Sequence, residues 1–154
     1  MEKLEPLKLT LEDGRRALGV HVLEKGYKLR EKYGKFIDYD TLLRILQDEE
    51  FVRYPTKIVF DSAKIEEGMF GYAERISTDA NDGYIIYIHE EFKKRSGDLP
   101  ALVFYHLVTV NYGEFATYNE AEEFASAALG MEKDYYYQYI CRLTDSIPGK
   151  ESRL

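Results

Sequence analysis

The stretch that decides the fold runs from Asp98 to Met131 and reads DLPALVFYHLVTVNYGEFATYNEAEEFASAALGM. Its first half is almost continuously apolar between Pro100, which suits the first turn of a helix, and Gly113, which suits the residue after one. A helix without a polar face is surrounded by protein on all sides. The stretch therefore predicts a central core helix, capped by Asp98, with the single imidazole of His106 in its middle.

A second helix is predicted directly after it, from Tyr118 to Leu129. Its apolar residues recur at helical spacing, which indicates one buried stripe and an acidic outer face. Carboxylates near the start of a helix are stabilised by the helix dipole. The simplest interpretation of Glu120, Glu122 and Glu123 is therefore an acidic helix start.

The pentapeptide HLVTV at 106–110 and the segment NEAEEFA at 119–125 resemble the two motif helices of the HExxH zinc metallopeptidases, in particular the gluzincin-like members. In that family two His residues at i and i+4 hold one zinc ion while the Glu activates a water. The resemblance keeps the first His as His106. It places Leu107 at the general-base Glu, Val110 at the second His and Glu120 at the third ligand, while Glu122 takes the position of the supporting carboxylate.

The resemblance implies a zincin-like fold without the activity of the family. A catalytic zinc site needs three protein ligands and a water, and leucine cannot take a proton from that water. We therefore expect a catalytically inactive domain that acts as a protein- or peptide-binding or regulatory module. It should have no catalytic residue, no metal and no cofactor, with His106 and Glu120 as vestigial ligand positions. In this interpretation His106 is a core histidine, hydrogen-bonded either to a carboxylate such as Glu120 or to groups around Tyr105.

Two alternatives remain open. The first is a metal-dependent hydrolase with rearranged ligands, in which His89 joins His106 and Glu120 around one metal ion. The second is a structural domain unrelated to zincins, for which the motif match is a coincidence. The first alternative requires three side chains from separate elements to converge on one point.

The rest of the chain predicts two N-terminal helices, three strands and a C-terminal helix. Capping and stop residues flank the first two helices, and Asn81-Asp82-Gly83 is a strong turn signal before the last strand. The predicted bounds are helices 11–33 (cap Thr10, stop Gly34) and 39–49 (cap Asp38), strands 57–60, 69–76 and 84–88, and a helix at 132–145.

These elements predict an α+β fold with two N-terminal helices, a small, mostly antiparallel three-stranded sheet and three C-terminal helices around the apolar one. The length of 154 residues fits a single domain. Within it we expect a helical N-terminal part at 1–54, a zincin-like core at 55–130, a C-terminal helix at 131–147 and a tail at 148–154.

Composition indicates a globular chain of 45% hydrophobic and 32% charged residues. The start MEKLEPLKL is not a signal peptide, no stretch is long enough to span a membrane, and the single Cys141 excludes an internal disulfide. We therefore expect a cytoplasmic protein. Abundant Glu, Lys and Tyr without Trp favour a thermophilic source.

The distribution of charged and aromatic residues indicates which classes of binding partner to expect. The densest run of basic residues, at 25–35, is interleaved with Glu24 and Glu31, as on a solvated helix face, so nucleic acid is not expected. A membrane partner is not expected either. The C-terminal helix carries four tyrosines in five residues, Tyr135, Tyr136, Tyr137 and Tyr139. These rings or a sheet edge would serve a protein or peptide partner, and the simplest role of the rings is to cover the core.

Overall fold

Helix α3 is the element around which the chain packs. The structure is a computed structural model that describes residues 10–148. Its elements, in chain order, are α1 Leu11–Tyr33, α2 Tyr39–Leu46, β1 Thr56–Phe60, β2 Gly71–Arg75, β3 Tyr84–Ile88, α3 Leu99–Tyr112, α4 Tyr118–Leu129 and α5 Lys133–Asp145. The predicted α+β class is thereby confirmed.

Local sequence sets most helix boundaries as predicted. The Thr10 hydroxyl accepts a hydrogen bond from the N–H of Asp13, whose carboxylate accepts one from the N–H of Thr10, a capping box at the start of α1. At the start of α2 the Asp38 carboxylate accepts a hydrogen bond from the N–H of Thr41, a simple N-cap. Gly113 follows α3 with a φ of 64°, a backbone conformation that favours glycine.

The predicted capping role of Asp98 is wrong. Its side chain makes no hydrogen bond to the N-terminus of α3, because the chain enters that helix from a turn of 3-10 helix at Ser96–Asp98. The Asp98 carboxylate instead accepts a hydrogen bond from the hydroxyl of Tyr139. Asp98 therefore ties α5 to the start of α3.

The sheet is mixed, which corrects the expectation of a mostly antiparallel one. The strand order is β1-β3-β2, with β1 parallel and β2 antiparallel to β3. Strand β3 reads YIIYI and is the most apolar of the three, so burial favours it in the middle. Strands β2 and β3 form a hairpin, and β1 pairs with the other side of β3, in the parallel direction.

Within residues 10–148, helices cover one face of the sheet only. Alternate residues of β3, Tyr84, Ile86 and Ile88, are buried against α3, whereas Ile85 and Tyr87 on the other face are half-buried. Helix α3 packs on β2 and β3 with one side and on α4 with another, and α4 in turn packs against α1 and α5. The predicted central position of α3 is confirmed.

Close packing of α1 on α4 depends on a glycine. A Cβ atom built on Gly26 would lie 2.6 Å from the Cβ of Ala127 and 2.7 Å from the carbonyl oxygen of Phe124. The glycine thus lets the two helix backbones approach closely. None of the helices in residues 10–148 is long and apolar enough to cross a membrane.

Candidate functional site

His106 lies on the side of α3 that faces the sheet. Its side chain is buried, and the rings of Phe70 and Tyr105 lie 5.3 and 5.4 Å from the imidazole, centroid to centroid. The Nε2 atom points at the backbone of Gly71 in β2, where an added Cβ would lie only 2.7 Å away. The imidazole is therefore covered by the strand and has no open path to solvent on that side.

The predicted hydrogen bond between His106 and a carboxylate such as Glu120 is not formed in the described residues. Within residues 10–148 the buried Nε2 atom has no hydrogen-bond partner, and Glu120 is occupied elsewhere. Because burial disfavours the charged imidazolium, the pKa of His106 falls from 6.5 to about 4. The side chain is neutral at physiological pH and pays for desolvation of one polar atom.

The two positions that the resemblance aligns with the general base and the second His carry buried hydrocarbon side chains. Leu107 is fully buried and Val110 is almost so, and both belong to the apolar core. Neither side chain can bind a metal ion or accept a proton. The helix therefore places no base and no second imidazole beside His106.

Glu120 is a structural carboxylate. It is buried, lies 2.7 Å from the guanidinium of Arg15 on α1, and accepts the N–H and hydroxyl of Thr117 in a capping box. Burial alone would raise the pKa of Glu120, but hydrogen bonds from Thr117 and Asn119 and the charge of Arg15 outweigh it and lower the pKa. The predicted third-ligand position thus joins α4 to α1.

Glu122 is also buried, at 8% exposure, so the predicted acidic outer face of α4 is wrong at Glu120 and Glu122. Burial raises the pKa of Glu122, an effect that the charge of Lys133 opposes. Burial, and then the charge of Glu122, raise the pKa of the Tyr105 hydroxyl on α3. The prediction failed because α1, α3 and α5 all pack on α4, which leaves little of its surface for solvent.

The rearranged metal site of the alternative interpretation is not assembled. His89 uses its Nδ1 atom to accept the N–H of Glu91 and so begins a turn of 3-10 helix. Residues 10–148 contain no group of three or more His, Cys, Asp or Glu side chains that could hold a metal ion. His89, His106 and Glu120 therefore remain separate, each with its own surroundings.

The free edge of β2 is the part of the sheet next to His106. The backbone pairs Phe70–His89 and Ile76–Gly83 are hydrogen-bonded, so by the alternation of an antiparallel ladder the even-numbered residues of β2 bond to β3. The N–H and C=O groups of Gly71, Ala73 and Arg75 then point away from β3. Among the described residues no strand pairs with them.

A cavity of about 570 Å³ lies along this edge. It is lined by Lys64, Glu66, Met69, Gly71, Tyr72 and Glu74. Met69 and Tyr72 are 42% and 44% exposed, and the ammonium of Lys64 lies 2.9 Å from the carboxylate of Glu74. Its volume is within the usual range of ligand sites, and its walls combine apolar surface, an ion pair and unpaired backbone.

The sequence predicted a sheet edge as a binding surface without saying which strand carries it. Sequence reasoning missed Gly71, and a glycine within a strand pattern is a recognised signal for close approach of another group. Arg15 was missed as well, since nothing in the sequence links it to a carboxylate more than a hundred positions away. Only the packing of α1 on α4 brings the two together.

The tyrosine-rich helix α5 divides between core and surface. Tyr136 is fully buried and donates a 2.7 Å hydrogen bond to the carbonyl of Ala101, and Tyr139 bonds to Asp98. Tyr135 and Tyr137 are about half exposed. Two of the four rings therefore fasten α5 to α3, which agrees with the simplest role expected for them.

Comparison with known proteins adds no family assignment: no protein-family model, no curated protein and no solved structure matches this chain.

Proposed function

We propose that this domain binds an extended peptide segment of another protein, which adds as a strand to the free edge of β2, and that it carries out no hydrolysis. The observation that carries the proposal is the row of outward N–H and C=O groups on Gly71, Ala73 and Arg75 beside the 570 Å³ cavity. In strand addition these backbone groups supply affinity, and pockets for alternate side chains supply specificity.

The walls of the cavity favour particular side chains in the peptide. Met69 and Tyr72 offer exposed apolar surface. Tyr72 pairs with Tyr87 on the face of the sheet that no helix of residues 10–148 covers. Lys64 is already paired with Glu74, so Glu66 leaves an excess of negative charge. We therefore expect a peptide of three to five extended residues with an apolar side chain and a basic one on the same face.

The absence of hydrolysis is proposed from residue chemistry. Leu107 and Val110 provide neither a base nor a ligand at the two motif positions that need them. The position of α3 beneath an antiparallel edge strand supports the zincin-like interpretation of the fold. In that interpretation the cleft of an ancestral peptidase is retained as a peptide-binding edge.

The test is a proline substitution that blocks the edge without disturbing the sheet. Ala73→Pro removes an outward N–H and puts a ring on the edge, and edge strands tolerate proline there. Glu74→Pro is compared for stability alone, because Glu74 lines the cavity; its N–H bonds inward to β3, so we expect its loss to cost about 1–3 kcal/mol. Peptides that bind the wild-type protein are selected from a random displayed library. Their dissociation constants are then measured for the wild type and for Ala73→Pro.

We expect selected peptides to shift the backbone NMR signals of residues 71–75. They should bind Ala73→Pro at least about tenfold more weakly than the wild type, which corresponds to a loss of about 1.4 kcal/mol of binding free energy. The circular dichroism spectrum of Ala73→Pro should match that of the wild type. Selected peptides that bind the proline variant equally well, or that shift only signals elsewhere, would show that the edge of β2 is not the binding surface.

A further inference from the structure

Glu122 on α4 carries a carboxylate that has no partner within residues 10–148. The residue is 8% exposed, and its side chain forms no salt bridge and no hydrogen bond with another described residue. Its oxygens are not among the fully enclosed side-chain atoms that lack a partner, which are Nε of Arg95 and Nε2 of His106. Both oxygens of Glu122 therefore stay in contact with solvent, although the side chain is recessed.

The fold pairs the carboxylate of Glu120 and leaves that of Glu122 unpaired. Glu120 lies 2.7 Å from the guanidinium of Arg15 and accepts hydrogen bonds from Thr117. A largely buried charge without a partner is costly, and such groups are concentrated at binding and catalytic sites. Glu122 is therefore a candidate to receive its partner from a ligand.

Tyrosine side chains from three helices lie near this carboxylate. Tyr118 is four residues before Glu122 on α4 and so lies on the same face of that helix. Tyr136 on α5 donates its hydroxyl to the carbonyl of Ala101, one helical turn before Tyr105 on α3. Burial raises the pKa of the Tyr105 and Tyr136 hydroxyls, and the charge of Glu122 adds to the effect, which agrees with a carboxylate close to both rings.

The solvent side of this cluster is open. Tyr118 is 70% exposed and Tyr137 on α5 is 52% exposed, whereas Tyr105 is half-buried. The pKa of the Tyr137 hydroxyl is raised first by a hydrogen bond to Cys141 and further by the charge of Glu122. The rings that border the carboxylate on the solvent side are therefore accessible to a ligand.

The local charge favours a cation. Burial raises the pKa of Glu122, and the charge of Lys133 opposes this effect. The charges of Glu123 and Asp134 add to it. The ammonium of Lys133 is itself occupied, since it lies 3.3 Å from the Glu123 carboxylate and bonds to the side chain of Asn119. Three carboxylates thus share one ammonium, and the excess of negative charge attracts a cationic ligand.

We infer that Glu122 and the tyrosines beside it bind the guanidinium group of an arginine side chain of another protein. The two free carboxylate oxygens can accept two parallel N–H groups of a guanidinium, and this flat cation stacks on tyrosine rings. The methylene stem of arginine lets the charge reach a recessed carboxylate while the stem packs on the rim. This site is built by helices and does not depend on strand addition at β2.

The experiment is a titration of the full chain with N-acetyl-arginine N-methylamide at pH 8, followed by backbone NMR. The citrulline analogue of this compound has the same shape without the charge and tests the role of the cation. Glu122→Gln removes the charge of the carboxylate at constant size. Glu24→Gln is its matched control, because Glu24 is exposed on α1 and forms no salt bridge among the described residues.

A second variant, Tyr118→Leu, removes one ring of the rim. Because Tyr118 is exposed, this variant should fold as the wild type does, and Tyr27→Leu at an exposed position of α1 is its control. Circular dichroism checks the fold of all four variants. Tyr118→Leu keeps the test decisive if Glu122→Gln does not fold.

We expect the arginine compound to shift the signals of residues 118–123 and 133–137 and to bind at least about tenfold more tightly than the citrulline compound. Glu122→Gln should weaken its binding about tenfold, and Tyr118→Leu about two- to fivefold. Both controls should leave the dissociation constant unchanged. The inference is overturned if none of these signals shifts at about 20 mM, if citrulline binds equally well, or if Glu122→Gln or Tyr118→Leu binds as the wild type does.

Discussion

Acidification to about pH 5 should destabilise this protein through His106, and replacement of that residue by methionine should remove the effect. In the folded state the imidazole is buried beside Gly71 with no partner for Nε2, and its pKa is about 4. In the unfolded chain it titrates near its ordinary value of 6.5. Since the unfolded chain binds the proton more tightly, stability is complete above about pH 6.5 and is lost as the pH falls toward 4.

The size of the loss follows from the two pKa values. Acidification from pH 7.5 to pH 5 should lower the free energy of unfolding by about 2 kcal/mol through this histidine alone. Below pH 4, where the whole difference between the two pKa values is felt, the loss should reach about 3 kcal/mol. Glu122, whose pKa is raised, contributes with the opposite sign, because its stabilisation is lost as the pH rises. Comparison with a variant at His106 separates the histidine from every other group.

The assay is urea unfolding of the wild type and His106→Met at pH 7.5 and at pH 5. Methionine is unbranched, fills a similar volume and adapts to irregular surroundings. At pH 7.5 the variant should be at least as stable as the wild type, because it no longer buries an unsatisfied nitrogen, a cost of about 1–3 kcal/mol. On acidification it should lose about 2 kcal/mol less than the wild type.

If acidification lowers the free energy of unfolding of the two proteins equally, within about 0.5 kcal/mol, the reasoning is refuted. That margin is well below the roughly 1.4 kcal/mol that one pKa unit represents. Such a result would mean that His106 accepts a proton in the folded state. It would follow that the imidazole has access to water or to a carboxylate, and that Gly71 does not seal it.

Two further predictions concern the packing of α1. Gly26→Ala should destabilise the protein by about 1–3 kcal/mol, since its Cβ would clash with Ala127. Gly19→Ala should instead stabilise it by about 0.5–1 kcal/mol, because no atom lies within 4 Å of the added Cβ and alanine is the better helix former. Thermal or urea unfolding of both variants checks the pair, and equal shifts would contradict the proposed contact. Arg15→Met should cost about 1–3 kcal/mol by leaving Glu120 buried without its cation, and the loss should be smaller in a background with Glu120→Gln.

The helices could be predicted closely because their signals are local. The capping box at Thr10 and the stop at Gly34 are decided within a few residues, so the bounds of α1 agree with those predicted. Helix α2 ends three residues earlier than expected, at Leu46, because nothing local distinguishes its last polar residues from a continued helix. Strand order could not be predicted, since it depends on which strand is buried by distant helices.

Side-chain environments were less predictable than backbone elements. The spacing of Glu120 and Glu122 resembles an exposed acidic helix start, and both are nevertheless buried. Their burial is set by three neighbouring helices, one of which begins more than a hundred residues earlier. Likewise the lack of a partner for His106 depends on the backbone of Gly71, which no periodicity of α3 reveals.

The burial of the His106 imidazole is linked to the apolar side chains of Leu107 and Val110 on the same helix. An HExxH helix must keep a polar face toward its metal and water, whereas Leu107 and Val110 make α3 apolar on that face and let the sheet close over it. Closure then strips water from His106 and lowers its pKa. Packing therefore occupies this side of α3, and the binding surface that we propose is the unpaired edge of β2 beside it.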